Sequence, residues 1–409
     1  MTELKKYLNP KTLILIIIIF AALTRLYNLN YPNKYVFDEV YHAFTAKEFA
    51  LNHKEAWEWW TTPPPGVAYE WTHPPLAKEI MASSMIIFHT FDSWAYRLPG
   101  ALLGILSIFL LFKIALIIFK NETVALTAAF LFSIDGLNFV QSRTGMNDIY
   151  LVTAILASLL LFLNKKFFWS AVLLGLAFAS KWTAIYFIGV YLVLLIKDKQ
   201  WSKIPYFFLI PIVVYLMSYI PFFLLGHDLE TFWHLQQQMW WYHTGLKAHH
   251  DYASPWWSWP FNLYPVWYFV DYHQNSTVSN IFASGNPLLF WAGAAAVATG
   301  SYYFLRRKAK ELFVPLLGFF AFWLPWAISP RIMFLYHYAP SVPFMCMILA
   351  SEIAPLSDKK DKTLFYLVII AALLSFLLMY PFLVGVPLSR DIMQLFFRSN
   401  LTKNPFGVF

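Results

Sequence analysis

Charge is scarce in this chain. Asp, Glu, Lys and Arg make up 13% of its 409 residues, where a soluble domain carries about 25%. Hydrophobic residues reach 59% and mean hydropathy is +0.53. A water-soluble globular protein is thereby excluded, and several membrane spans of about 20 apolar residues each are called for. Cysteine is almost missing. The single copy, Cys346, lies inside an apolar run, so no intrachain disulfide is expected. There is no internal repeat, no low-complexity tail and no polar stretch suited to a soluble domain. The first apolar segment follows Lys5, Lys6 and Lys11, as a signal peptide would. It lacks a small-residue cleavage site and runs into Arg25-Leu26-Tyr27-Asn28, so it reads as a retained anchor. The net charge of +8 does not imply nucleic acid, because the basic residues fall in short blocks between apolar runs.

Aromatic residues are abundant, at 20% with 18 Trp and 24 Tyr, many of them beside apolar runs as interfacial anchors. Apolar windows predict about eleven spans, near 11–29, 97–119, 122–140, 147–163, 167–180, 182–197, 203–225, 287–304, 311–328, 332–354 and 363–384. Alternate loops are basic: Lys5/Lys6/Lys11, Lys120, Lys165/Lys166, Lys197/Lys199/Lys203, Arg306/Arg307/Lys308/Lys310 and Lys359/Lys360/Lys362. The positive-inside rule puts these blocks and the N terminus in the cytoplasm. The C terminus and two long loops, about 30–96 and 226–286, then face outside. The stretch after Pro75 reads as an amphipathic helix on the membrane surface, and the Trp-rich second loop as interfacial segments. The expectation is an all-α polytopic membrane protein forming one domain over 1–409. Its parts are 1–225, the second loop 226–286 and a four-span region 287–409.

Chemistry is expected on the outer face. Asp38 and Glu39 follow the first span, and acids beside a bilayer are expensive to desolvate. One of them is placed to act as a general base; the plainer reading is a helix N-terminus, where acids favour the dipole. In Glu70-Trp71-Thr72-His73-Pro74-Pro75-Leu76-Ala77-Lys78, two prolines fix the entry to a helix and aim His73. Lys78 either binds a phosphate or snorkels to lipid head groups. Asp135 lies inside an apolar run, followed by Gln141-Ser142-Arg143 and Asp148. This is either an ion-paired hairpin or a site in which Arg143 grips a phosphate. Lys181, Arg331, His337 and Tyr338 are also predicted at external junctions. Three basic residues (Arg143, Lys181, Arg331) on the same face as the acids suggest an anionic, lipid-linked substrate.

Taken in order, Phe37-Asp38-Glu39-Val40, His73-Pro74-Pro75-Leu76-Ala77-Lys78, Asp135 with Gln141-Ser142-Arg143, Gly175 to Trp182 and Phe334-Leu335-Tyr336-His337-Tyr338 resemble the protein O-mannosyltransferases. The resemblance covers nearly the whole chain. It implies the GT-C fold of membrane glycosyltransferases and transfer of mannose from a polyprenyl-phosphate carrier to Ser or Thr of an exported protein. It also implies inversion at the sugar carbon, with Asp38 as base, Glu39 orienting Asp38 or binding the acceptor, and Arg143, Lys181, Lys78 and Arg331 on the donor phosphate. His73, Asp135, Asp148, His337 and Tyr338 are expected to support the site. No cofactor is implied. A divalent metal is not required, since basic residues can neutralise the phosphate and the separated Asp-x-Asp pair of metal-using relatives is missing. Three features depart from the family pattern. The second loop, about 60 residues, has no room for the β-trefoil of eukaryotic members. Met146-Asn147-Asp148 replaces a Leu-Leu-Asp stretch, and Ala77 stands where Gly is frequent. Rival readings are a GT-C enzyme with a lipid or glycan acceptor, and a lipid-carrier flippase.

Overall fold

The computed structural model describes residues 9–245, 247–274, 276–358 and 362–396. The Lys5/Lys6 and Lys359/Lys360 blocks and residues 397–409 lie outside the described residues. The long apolar runs become helices. The first, α1 (Pro10–Leu26), starts with Pro10 in its first turn and Asn9 as cap, whose side chain accepts from Thr12 N at 2.9 Å. The first long loop then carries α2 (His42–Ala50) and α3 (Leu76–Phe88), the helix expected after Pro75. Next come α4 (Ser93–Phe119), α5 (Glu122–Ser133), α6 (Gly136–Arg143), α7 (Asp148–Leu163), α8 (Phe167–Ser180), α9 (Ile185–Lys197) and α10 (Tyr206–Met217). The second long loop holds α11 (Leu229–Gly245) and strands β1 (Val266–Tyr272) and β2 (Thr277–Ala283). The C-terminal region adds α12 (Pro287–Leu305), α13 (Phe313–Trp323), α14 (Val342–Ile353), α15 (Thr363–Val384) and a short β3 (Leu388–Ser389).

Six helical segments of the described residues are long and apolar enough to cross a membrane. They are α4, Trp201–Leu224 around α10, α12, Lys310–Ile328 around α13, Leu335–Asp358 around α14, and α15. The remaining expected spans coincide with α1, with the shorter apolar helices Asp148–Leu163, Phe167–Ser180 and Trp182–Lys197, and with a bent pair.

That bent pair is α5 and α6, which meet at 58° inside the window read as one straight span. Asp135 is the reason. Its carboxylate caps α6, accepting from Leu137 N at 3.2 Å and Asn138 N at 2.8 Å. Asn286, the cap of α12, donates to Ile134 O at 3.3 Å and Ala372 O at 2.9 Å. The backbone groups released at the break are thus satisfied within the protein, as a membrane interior demands. Ala125, Ala128 and Ala129 of α5 are fully buried, and their small side chains let α14 pack close.

The helical expectation gains one element, a small antiparallel sheet in the order β1–β2–β3. Val270 pairs with Asn280, Tyr272 with Val278, and a bulge falls between Trp267 and Phe269. Both long strands are rich in aromatic and β-branched residues, which suit a pleated surface. The sheet braces the first loop: the Tyr31 hydroxyl donates to Ser279 Oγ at 2.9 Å.

Candidate active site

Between α1 and α2 the chain forms a short 3-10 turn, Phe37–Val40, that presents Asp38. Phe37 lies in the left-handed region at φ +46°, unusual for a bulky residue. Such a conformation costs about 1–3 kcal/mol and persists where surroundings impose it. Here the Phe37 ring stacks on Tyr268 of β1, with centroids 4.2 Å apart and planes within 9°, and meets the edge of Tyr336 at 6.0 Å. Glu39 points the other way and is fully buried. Its carboxylate accepts from Arg97 Nε at 2.8 Å and Nη2 at 2.7 Å, from Gly145 N at 2.8 Å and from Val36 N at 2.9 Å. Arg97 also donates to the carbonyls of Leu29, Pro32 and Lys34. Glu39 therefore ties the turn to the start of α4 and has no face toward a substrate. Of the two roles left open for it, the geometry suits orienting Asp38.

Asp38 opens into a cavity of about 470 Å³ with Tyr41, His42, Glu70, His73, Arg331 and Tyr336 on its walls. A second cavity of about 530 Å³ adjoins it, and both are lined by His73 and Arg331. The second is walled by Phe178, Trp182, Ile185, Trp326 and Ile328, with Lys181, His243 and His337 among its polar side chains. Lys181 Nζ donates to Asp148 Oδ1 at 2.8 Å, so this pair joins the end of α8 to the start of α7. Burial pushes the Asp38 carboxyl up to about 6, against the pull of His42 and Lys181. A base poised there is ionised at neutral pH and still basic enough to accept a proton.

Beneath these cavities Glu70 organises a buried cluster. Its carboxylate pairs with Lys78 and Thr72, accepts from His73 Nδ1 at 2.9 Å, and lies 3.6 Å from His42 Nδ1. Burial opposes its ionisation, but Lys78 and His73 overcome that and hold the Glu70 carboxyl well below the usual range. Burial keeps His73 neutral despite Glu70. A carboxylate only accepts, so Nδ1 of His73 carries the proton and Nε2 is left as an acceptor.

Other expected residues are placed elsewhere. Lys78 spends its ammonium on the Glu70 carboxylate, Glu70 O at 2.6 Å and His73 O at 2.9 Å. All three protons are used, so it neither grips a phosphate nor reaches lipid. Arg143 is not on either cavity. Its Nη1 donates to Thr24 O at 3.1 Å and to Arg25 O, capping the carbonyls that end α1. Asp135 is the helix cap described above and pairs with neither Arg143 nor a substrate face. Tyr338 is fully buried against Met345, its hydroxyl 3.5 Å from the sulfur. Its neighbour Tyr336 reaches the Asp38 cavity instead. His337 does line the second cavity, with Nδ1 held at 3.0 Å by the Phe334 backbone. Arg97, His42, Glu70, Tyr336 and His243 went unassigned in the sequence. The one local signal was Glu70, three residues before His73 in a proline-fixed segment. Among the described residues, no group of three or more His, Cys, Asp or Glu side chains has the arrangement of a metal site.

An acid beside a basic compartment, both built on loops over a helical membrane domain, is an arrangement that the fold comparisons place among membrane glycosyltransferases of the GT-C fold. The solved structure of the Saccharomyces cerevisiae protein O-mannosyltransferase Pmt1-Pmt2 complex, bound to its sugar donor, has the same fold. The TM-score is 0.79 at 15% identity, over 97% of this chain and 93% of that one. ArnT from Cupriavidus metallidurans, bound to undecaprenyl phosphate, gives a TM-score of 0.61 at 16% identity, over 88% of this chain and 63% of that one. A family model described as dolichyl-phosphate-mannose-protein mannosyltransferase matches residues 72–224. A second, the C-terminal four-span region of protein O-mannosyltransferase, matches residues 228–399. A polyprenol-phosphate-mannose–protein mannosyltransferase of Mycolicibacterium smegmatis is 27% identical over 93% of this chain and 90% of its own length. The chain belongs to the protein O-mannosyltransferase family and is a multi-pass membrane protein.

Proposed function

We propose that the chain transfers mannose from a polyprenyl-phosphate carrier to Ser and Thr hydroxyls of exported proteins, with inversion at the sugar carbon. The observation that carries the catalytic assignment is the pair of adjoining cavities. Asp38 opens into one, Lys181 into the other, and His73 and Arg331 line both. The acceptor hydroxyl enters beside Asp38. Its oxygen bonds to the anomeric carbon as the bond from that carbon to the phosphate oxygen breaks. The hydroxyl proton passes to Asp38, and the carrier leaves as its phosphate. Lys181 and Arg331 face the growing phosphate charge, electrostatic stabilisation of the kind that dominates many such reactions. Lys181 has one N–H on Asp148 and two to spare. Arg331 lines both cavities, and its Nε has no protein partner. The aromatic and aliphatic wall of the second cavity suits the prenyl chain.

Basic blocks on alternate loops support a cytoplasmic N terminus in the cell membrane, with the active face and the C terminus outside. A Ser/Thr-rich exported protein co-expressed with the chain tests the activity. Intact-mass analysis should show added hexose that is absent without the chain. Hexose found on a lipid and never on the protein overturns the acceptor assignment.

A further inference from the structure

We infer that His243, on α11 of the second loop, is the positioning residue that aims Arg331 at the donor phosphate. The inference rests on the phosphate role proposed for Arg331. The His243 ring is held at both nitrogens: Nε2 lies 2.7 Å from Thr72 O, and Nδ1 meets Arg331 Nη1. A backbone carbonyl only accepts and a guanidinium only donates. Nε2 must therefore carry the proton and Nδ1 must be bare, so one neutral tautomer satisfies both contacts. Burial, and then the Arg331 charge, push the imidazole down to about 4, which keeps that tautomer filled at neutral pH. Protonation would turn Nδ1 into a donor facing a donor.

The ring also packs at 5.2 Å from His73 and 5.7 Å from Trp182, while the neighbouring Tyr242 ring lies 5.4 Å from the Arg331 guanidinium. Thr72 and Trp182 are next in sequence to His73 and Lys181. His243 thus gathers three separate stretches of chain that line the donor compartment. With Nη1 engaged, the unpartnered Nε of Arg331 is fixed in direction.

The two amide substitutions separate the contacts. His243→Asn puts an acceptor near the Nδ1 position and keeps the Arg331 contact. His243→Gln puts an amide near the Nε2 position, keeps the Thr72 contact and loses the Arg331 one. Affinity for a short-chain polyprenyl-phosphate mannose is measured on purified variants with parental melting behaviour. We expect His243→Gln to bind about tenfold more weakly, the scale of one misdirected charge-assisted hydrogen bond. His243→Asn should stay near the parent. If His243→Gln does not fold, His243→Ala takes its place with the same expectation. In an Arg331→Ala background, Asn and Gln at 243 should bind alike. Equal losses for Asn and Gln, or a difference that survives Arg331→Ala, overturn the inference. Weak binding by Arg331→Ala with parental binding by His243→Gln removes the positioning role alone. Parental binding by Arg331→Ala removes the phosphate reading and the inference together.

Discussion

Replacing Asp38 by Asn separates catalysis from stability. The folded protein holds this carboxyl at about 6, against an ordinary value of 3.8, because burial disfavours its charge. Between those values the native state keeps a proton that the unfolded chain has lost. Stability therefore falls as pH rises from about 3.8 to 6. Above that window the ionised carboxylate costs on the order of 2–3 kcal/mol. Asn carries no charge to desolvate. At pH 7 the variant should be as stable as the parent or more so, by at most about 2–3 kcal/mol, while turnover falls roughly 10²–10⁴-fold for want of a base. The assay pairs thermal unfolding in detergent with transfer from short-chain polyprenyl-phosphate mannose to a Ser/Thr peptide. In the parent, kcat/KM should rise with pH through about 6 as Asp38 ionises. The residual activity of the variant should lack that limb. Near-normal turnover, a retained limb, or a loss of stability matching the loss of activity would each refute the base assignment.

Glu39→Gln should act in the opposite way, costing about 3–5 kcal/mol of stability, because it strands the buried Arg97 charge. A parental melting temperature with abolished turnover would return Glu39 to direct chemistry. Arg143→Ala and Arg143→Lys should both lower thermal stability by releasing the carbonyls of Thr24 and Arg25 from their cap, with donor affinity unchanged in the folded protein. Parental stability with weakened donor binding would restore Arg143 to the phosphate. Cysteines at the exposed positions Thr62 and Ser276 should react with an impermeant thiol reagent in intact cells, whereas the buried Cys346 stays silent. Labelling only after lysis would put the Asp38 cavity on the cytoplasmic side.

Membrane class, the placement of apolar helices and the segments that set titratable groups beside them follow from local composition. An apolar window of roughly 20 residues has few options in a bilayer beyond a helix. Asp38, His73 and Lys181 were visible for a related reason: charged or titratable groups stand out beside apolar runs. The partner of each such group was not visible. Lys78 and Arg143 look alike in sequence to Lys181 and Arg331, as basic residues at span ends. Whether such a residue faces a cavity depends on which acceptors lie nearest in space. For Lys78 these are Glu70 and the carbonyl of His73; for Arg143 they are carbonyls 118 and 119 residues away in sequence. Asp135 broke a span that hydropathy drew as straight, because capping depends on backbone direction. The sheet was hidden among tryptophans that also suit an interface. Burial adds the last element, for it raises the Asp38 carboxyl to about 6, and the walls around it come from both long loops and from the Arg331–Tyr336 stretch, which only the tertiary structure brings together.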